Sequence, residues 1–264
     1  MSEPRPEVRV AISERGQDRH VAFVTVDFER RRNSLTRALL QQLALAFEGL
    51  GGNSSLRLAV LTGAGDKAFI GGANLDELAS LTPGGAREYI SLVHRVCEAI
   101  RALPVPVVAR INGYCLGAGL EIAAACDLRL AADNAVFGMP EVKVGLPSVV
   151  EAALLPRLVG WGKAAELVYL ARTYDADAAR QMGLAERVVA ATQLDDAVEE
   201  WVEDLLAAGA AAIRAQKALL RVWEGAPLAQ AIEAGIECLA QAYEGDEPQR
   251  LINRFLQRRR VKVP

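Results

Sequence analysis

The run GYCLGAGLEIAAACDL, residues 113–128, places a single carboxylate, Glu121, in a helical pattern made otherwise of small and apolar residues. The residues three and four positions away on either side are glycine or alanine, so none of them can form an ion pair with Glu121. An ionised carboxylate in apolar surroundings is costly, and such groups are typical of functional sites. The run therefore predicts a buried helix that follows a glycine turn and presents a functional acid.

A second acid, Glu141, follows twenty residues later, directly after Pro140 in the segment VFGMPEVKVG. Two carboxylates presented from apolar segments beside a glycine-rich turn are typical of paired acid/base chemistry. We expect Glu121 and Glu141 to lie in one site.

Two glycine-rich turns connect strand patterns to helix patterns. The segment AFIGGANLDEL passes through Gly71 and Gly72 to a helix predicted at about Ala73, and NGYCLGAGLEI passes through Gly117 and Gly119. Small residues let a ligand approach backbone N–H groups, and a helix N-terminus adds a positive partial charge. Two such turns could donate to one oxygen and form an oxyanion hole. The alternative is that the small residues only permit tight packing of strand against helix.

Composition excludes several classes of protein. With 52% hydrophobic and 24% charged residues in 264, the chain is expected to be globular, with one large domain and a smaller appendage. A net charge of -3 argues against a general nucleic-acid binder. The start MSEPRPEVRV lacks an apolar signal core, and no apolar run is long enough to span a bilayer, so we expect a cytoplasmic protein with no membrane partner.

Cysteine and histidine residues give no sign of a metal site. The four cysteines lack paired spacing, which predicts neither a disulfide framework nor zinc; they are Cys97, Cys115, Cys126 and Cys238. Neither His20 nor His94 lies in a motif that could serve a nucleophilic serine or cysteine. We predict that His94 is a partly exposed residue of an amphipathic helix.

Periodicity predicts an α/β core followed by helices. Strands are predicted at VRVAIS, HVAFVTVDF, LRLAVLTG and PVPVVARING, with helices at about 36–50, capped by Thr36, and 85–103. From about Asp195 the pattern is wholly helical. We therefore predict an α/β core with the site in residues 1–194 and a helical part in 195–264.

These motifs resemble the crotonase, or enoyl-CoA hydratase/isomerase, superfamily over nearly the whole chain. KAFIGGANLDEL is similar to the family's first oxyanion segment, which assigns one amide to Ala73. INGYCLGAGLEIAAACDLRLAADNAVFGMPEVKVGL is similar to the second oxyanion and catalytic segment, which assigns the other amide to Ala118. Both hydratase glutamates are present, as Glu121 and Glu141.

The resemblance implies a crotonase-like spiral of repeated ββα units with a helical C-terminal trimerisation region, assembled as a trimer or a dimer of trimers. It also implies hydration of an α,β-unsaturated acyl-CoA to the 3-hydroxyacyl-CoA. Glu121 would act mainly as base and Glu141 as acid on one water. Coenzyme A is then part of the substrate, and no cofactor or metal is required.

The resemblance also implies a set of substrate-binding residues. ERRRNSL resembles the segment that borders the adenine, and FLQRRRVK resembles a basic tail that meets the CoA phosphate. The alternative for both basic clusters is a solvated charged face. The predicted binding residues are Arg30, Arg31, Arg32, Gly71, Gly72, Asn74, Leu75, Gly117, Pro140 and Arg258.

The chain departs from the family pattern in three places. Asn74 stands where many relatives have aspartate, and Ala118 replaces a glycine. In VGLPSVVEAALLPRLVG, Val150 and Glu151 replace the paired glycines of IPxAGGTQRL, a stretch that resembles the border of the acyl pocket, so the usual acyl chain is not the expected substrate. Glu151 could form a capping box with Ser148 or be a third carboxylate near the site.

Two other functions remain open. Double-bond isomerisation, or another crotonase-type acyl-CoA reaction, would need only one glutamate as a proton shuttle. A non-catalytic, RNA-binding relative would need a lysine-rich helix, and residues 87–101 offer only Arg87, His94, Arg95 and Arg101.

Overall fold

The computed structural model describes residues 6–261, with side chains up to residue 257. Strands form at the four predicted segments VRVAIS, HVAFVTVDF, LRLAVLTG and PVPVVARING, where apolar and β-branched residues alternate or run together, and at further short segments. They are β1 (Glu7–Glu14), β2 (His20–Asp27), β3 (Leu56–Gly63), β4 (Ala68–Ile70), β5 (Val107–Ile111), β6 (Tyr114–Leu116), β7 (Leu128–Ala132), β8 (Val136–Gly138), β9 (Thr173–Asp175) and β10 (Arg187–Val189).

Within residues 6–261 the strands form two sheets. The larger has the order β1-β2-β3-β5-β7-β10, and the smaller has the order β4-β6-β8-β9. In the larger sheet β1 is antiparallel to β2, while the neighbours from β2 to β10 are parallel. In the smaller sheet β4, β6 and β8 are parallel and β9 is antiparallel.

Helices connect and cover these sheets. The Thr36 hydroxyl accepts a hydrogen bond from Leu39 N at 3.2 Å, which confirms Thr36 as the cap of the first helix. The helices are α1 (Arg37–Leu50), α2 (Leu75–Leu78), α3 (Pro83–Ala102), α4 (Ala118–Ala125), α5 (Leu155–Leu170), α6 (Ala176–Met182), α7 (Leu194–Ala207), α8 (Ala210–Trp223), α9 (Leu228–Ala242) and α10 (Glu247–Val261).

A repeated unit builds the core. β3 and β4 lead to α2, β5 and β6 lead to α4, and β7 and β8 lead to the 3-10 helix Glu141–Val144. In each unit the first strand joins the larger sheet and the second strand joins the smaller sheet. The predicted spiral of ββα units is therefore confirmed. Each helix of the site begins just after a strand of the smaller sheet.

Both faces of the larger sheet are covered, as is usual for parallel strands. One face packs against α1, α3 and α4 in a cluster that includes Val24, Leu61 and Ala109. The other face, with Leu58 and Val60, packs against the apolar side of α7. The division of the chain at residue 194 stays a prediction, and α7 lies directly on the sheet of the α/β core.

The remaining helices extend from this core. Lys217 of α8 is buried, and its ammonium donates to the carbonyls of Ile100 and Val105 and to Asp127. α9 and α10 continue the helical pattern. None of the helices within residues 6–261 combines the length and apolar character that crossing a bilayer requires.

Candidate active site

The two glycine turns lie side by side because β4 and β6 are parallel neighbours, with Ile70 opposite Cys115. A side chain added at Gly72 would come within 3.2 Å of Leu116 O, and one added at Gly119 would overlap Ile70 O. The small residues thus do permit tight packing, and this packing brings the two turns together. Packing and a role in ligand binding are compatible here.

Two backbone N–H groups remain available at this junction. Leu35 N donates to Gly72 O and Asn74 N donates to Leu35 O, both at 2.8 Å. Ala73 lies between Gly72 and Asn74 in this parallel bridge. Its own N–H therefore points away from Leu35. Ala118 is the first residue of α4, where the N–H has no acceptor within the helix. Neither N–H donates a hydrogen bond within the described residues.

Glu121 lies in α4, one turn after this junction, and only 3% of its surface is exposed. Burial raises the pKa of its carboxyl to about 8, and the nearby charges of Glu141 and Glu151 contribute to the rise. The backbone N–H groups of Ala152 and Val149 oppose it. Burial therefore favours the neutral form of the Glu121 carboxyl over the ionised form.

Glu141 follows Pro140 at the start of its 3-10 helix, and its carboxyl lies over Gly117. A side chain at Gly117 would overlap Glu141 Oε1, and its φ of 52° is in the region that favours glycine. Ser148 Oγ donates to Glu141 Oε2 at 2.8 Å. Burial raises the pKa of Glu141, whereas hydrogen bonds from its own N–H and from Ser148 lower it. The structure thus brings both predicted acids to one place.

The predicted capping box of Ser148 and Glu151 is wrong. Val149 precedes the 3-10 helix Val150–Leu154, and no side chain caps it. Ser148 lies one residue too early, and its hydroxyl is bound to Glu141. Glu151 instead turns inward, as the prediction of a third carboxylate near the site required.

Glu151 is 6% exposed and lies where Val150–Leu154 packs between α3 and α4. Nδ1 of His94 donates to Glu151 Oε1 at 2.7 Å, while the rest of His94 is half exposed. His94 is a partly exposed helix residue as predicted, and its bond to Glu151 is an addition to that prediction. Val150 has a φ of 41°, a strained value for a β-branched residue. Valine thus adopts a glycine-like backbone where the family pattern has glycine.

The predicted binding residues around the first turn also lie close to it. Arg32 O accepts a hydrogen bond from Gly71 N at 2.9 Å, and the Arg32 guanidinium lies over the Tyr114 ring at 4.8 Å. Arg30 lies over the Phe28 ring at 5.3 Å, and Arg31 pairs with Asp76 at 3.4 Å. The basic segment therefore borders the Gly71–Gly72 turn.

The other predicted binding residues differ in exposure. Asn74 is buried and caps α2, accepting from Glu77 N, so this helix begins at Leu75 and slightly later than predicted. Leu75 is 61% exposed beside it. Arg258 lies in α10, and its side chain is outside the described residues.

Two contributors to the site were missed by sequence reasoning. Ser148 binds the carboxyl of Glu141 and His94 binds the carboxyl of Glu151, yet neither stands at a spacing that links it to its partner. The loss of paired glycines at Val150 and Glu151 was the one signal that this segment differs. This replacement did not show which helix the Glu151 side chain would contact.

The chain is similar to known proteins over most of its length. A model of the enoyl-CoA hydratase/isomerase family matches residues 16–263. Crotonyl-CoA hydratase of Syntrophomonas wolfei is 31% identical over 93% of this chain and 95% of its own, and short-chain-enoyl-CoA hydratase of Clostridium acetobutylicum is 29% identical over 92% and 93%. The crystal structure of enoyl-CoA hydratase from Mycobacterium smegmatis superposes with a TM-score of 0.91 at 30% identity, over 96% of this chain and 97% of that one.

Proposed function

The chain belongs to the enoyl-CoA hydratase/isomerase family, and we propose that it adds water to a 2-enoyl-CoA thioester to give the 3-hydroxyacyl-CoA. The observation that carries the proposal is the presence of two carboxyls, the buried Glu121 and the partly buried Glu141, beside two unused backbone N–H groups. Relatives named as hydratases of crotonyl-CoA and of short-chain enoyl-CoA support it.

The N–H groups of Ala73 and Ala118 would bind the thioester oxygen. Negative charge develops on that oxygen when water attacks the β-carbon, and each well-placed donor contributes roughly 3 to 4 kcal/mol to the transition state. Because both amides belong to rigid turns packed on each other, they need no rearrangement at the moment of reaction.

Glu121 and Glu141 would hold one water between them. Addition requires one ionised carboxylate to take a proton from the water and one protonated carboxyl to give a proton to the α-carbon. Burial raises the pKa of both groups, which favours a pair that holds one proton between the two carboxyls. We propose Glu121 as the base and Glu141 as the acid during turnover, so the shared proton must lie on Glu141 when the water is attacked.

Product analysis tests this proposal. The purified protein is incubated with 2-enoyl-CoA and 3-enoyl-CoA thioesters, and the products are separated by liquid chromatography and identified by mass. A hydratase adds 18 mass units, the mass of one water, to the 2-enoyl thioester. Interconversion of the two thioesters without added mass would replace this proposal with isomerisation.

We also propose that the chain is a homotrimer or a dimer of trimers. α9 leaves a row of apolar side chains exposed at helical spacing, a face suited to association with another copy. The exposed fractions are 76% for Leu228, 55% for Ile232, 57% for Ile236 and 64% for Leu239.

Light scattering at micromolar concentration should therefore give three or six times the mass of one chain. Ile236→Asp should lower this mass because it puts a charge on the apolar row, whereas Glu233→Gln, a polar change on the same helix, should not. A monomeric wild-type protein would contradict the proposed assembly.

A further inference from the structure

A cavity of about 380 Å³ lies between α10, the loop that leads into α8 and the turn that joins β1 to β2. A cavity of this size is within the range of small-molecule sites and far exceeds the roughly 30 Å³ that one water occupies. The fold brings four arginines to its wall from three separate parts of the chain: Arg19 from the turn, Arg57 from β3, and Arg250 and Arg254 from α10. In a chain with a net charge of -3, this is a local concentration of positive charge.

Arg57 is only 9% exposed, and its hydrogen bonds are incomplete. Its Nη2 donates to Leu205 O at 3.3 Å and to Ala208 O at 2.8 Å. Its Nε and Nη1 groups have no acceptor in the part of the chain that the structure describes. A buried charge is costly unless it is paired and hydrogen-bonded. Arg57 therefore offers a charge and free N–H donors to an occupant of the cavity.

The other three arginines of the cavity wall also lack strong partners. Arg19 and Arg254 are exposed, and neither side chain forms an ion pair or a hydrogen bond among the described residues. Arg250 has Asp246 at 3.8 Å, one turn earlier in the chain and outside the cavity wall. Like charges around one cavity repel each other, and an anion inside it would offset that repulsion.

The two acids of the cavity wall, Asp18 and Glu247, are bound by other groups. Ser55 Oγ donates to Asp18 at 3.1 Å. Glu247 accepts from the backbone N–H groups of Ala211 and Ala212 at the start of α8, at 3.2 and 3.0 Å. Within the described residues neither acid forms an ion pair with an arginine of the wall. Four guanidiniums and two carboxylates leave an excess of positive charge.

This cavity is separate from the candidate active site. Arg19 directly precedes β2 and Arg57 is the second residue of β3, so both lie at the amino ends of two paired strands. Arg30 and Arg32, beside the Gly71–Gly72 turn, follow the carboxyl end of β2. A strand of eight residues is about 25 Å long, so the cavity and the site lie at opposite edges of the larger sheet.

We propose that this cavity binds a small anion with a diphosphate group, and that the bound anion links α10 to the α/β core. Guanidinium groups form paired hydrogen bonds with phosphate oxygens, which suits four arginines to two neighbouring phosphates. Inorganic pyrophosphate, a nucleoside diphosphate and coenzyme A all carry this group. The inference does not depend on the proposed hydration.

Calorimetric titration of the full chain with inorganic pyrophosphate tests the proposal. Wild type should bind one pyrophosphate per chain. Arg19→Gln and Arg254→Gln should each weaken binding by at least about tenfold, because each removes charge-assisted hydrogen bonds. Both positions are exposed, so these variants should fold. Arg180→Gln is the matched control: it is the same substitution at an exposed residue of α6, paired with Asp177, and should bind as wild type does.

The melting temperature provides a second readout. Pyrophosphate should raise the melting temperature of wild type and of Arg180→Gln, because it binds the folded chain and joins α10 to the core. The same concentration should shift Arg19→Gln and Arg254→Gln much less. A shift of equal size in all four proteins would contradict binding in this cavity.

Titrations with ADP and with coenzyme A identify the source of the diphosphate. A ligand that the cavity binds should lose affinity in Arg19→Gln as pyrophosphate does, whereas coenzyme A bound only at the active site should not. No binding of pyrophosphate, or binding that Arg19→Gln and Arg254→Gln leave unchanged, would overturn the inference. Failure of wild type to hydrate any enoyl thioester would overturn only the proposed function.

Discussion

Glu121→Gln and Glu141→Gln are each expected to lower the hydration rate by at least about a hundredfold, while CoA-thioester binding stays largely intact. Glutamine keeps the shape and hydrogen bonding of each side chain but can neither take nor give the proton. The measurement is kcat with the best 2-enoyl-CoA substrate, together with the dissociation constant of a saturated acyl-CoA.

The double variant should be little slower than the poorer single variant. Both groups act on the same water, so the loss of either one already removes most of their joint effect. Glu48→Gln is the same substitution on the surface and serves as the control; it should keep wild-type turnover. If Glu121→Gln left turnover almost unchanged and only Glu141→Gln abolished it, a one-base proton shuttle would replace the two-carboxylate mechanism.

Ala118→Pro is expected to reduce turnover nearly to the background rate, because proline removes the N–H proposed to stabilise the developing enolate. Both glutamates remain in place. Ala118 is the first residue of α4, the helix position that tolerates proline best, since its N–H has no intrahelical acceptor. The assay is single-turnover hydration at saturating protein.

The matched control is Ala210→Pro. Ala210 is likewise the first residue of a helix and likewise follows a glycine, Gly209, but it lies at the start of α8 and away from the two turns. Ala210→Pro should keep its activity, and melting temperatures report whether either variant disturbs the fold. A folded Ala118→Pro protein with near-wild-type activity would exclude this amide as an oxyanion donor.

The order of elements and the position of both acids could be predicted from the sequence because they depend on local patterns. β-branched runs defined the strands, Thr36 marked the start of α1, and an acid among glycines and alanines marked α4. The adjacency of the two turns followed from the family resemblance. The structure adds the physical reason, which is the parallel pairing of β4 and β6.

The segment around Glu151 could not be predicted because its contacts are set by tertiary packing. Ser148 and Glu151 have the spacing of a capping box, and a local pattern of this kind favoured a helix start at Ser148. The positive φ of Val150 displaces that start, releases the Ser148 hydroxyl to Glu141 and turns Glu151 towards His94. No local pattern contains the 57-residue separation between His94 and Glu151.

Because the pKa of Glu121 is raised in the folded protein, protonation of this carboxyl also stabilises the folded state. Its pKa is about 8 in the folded protein and close to the ordinary 4.5 in the unfolded chain, so the folded state binds a proton that unfolding releases between these values. The stability that this proton contributes is fully present below pH 4.5 and is lost as pH rises through 8, a change of a few kcal/mol at about 1.4 kcal/mol per unit. Melting curves at pH 5 and pH 8 should therefore differ more for wild type than for Glu121→Gln. Selection for thermostability at alkaline pH alone would replace Glu121 early, so the residue is expected to survive only where activity is selected at the same time.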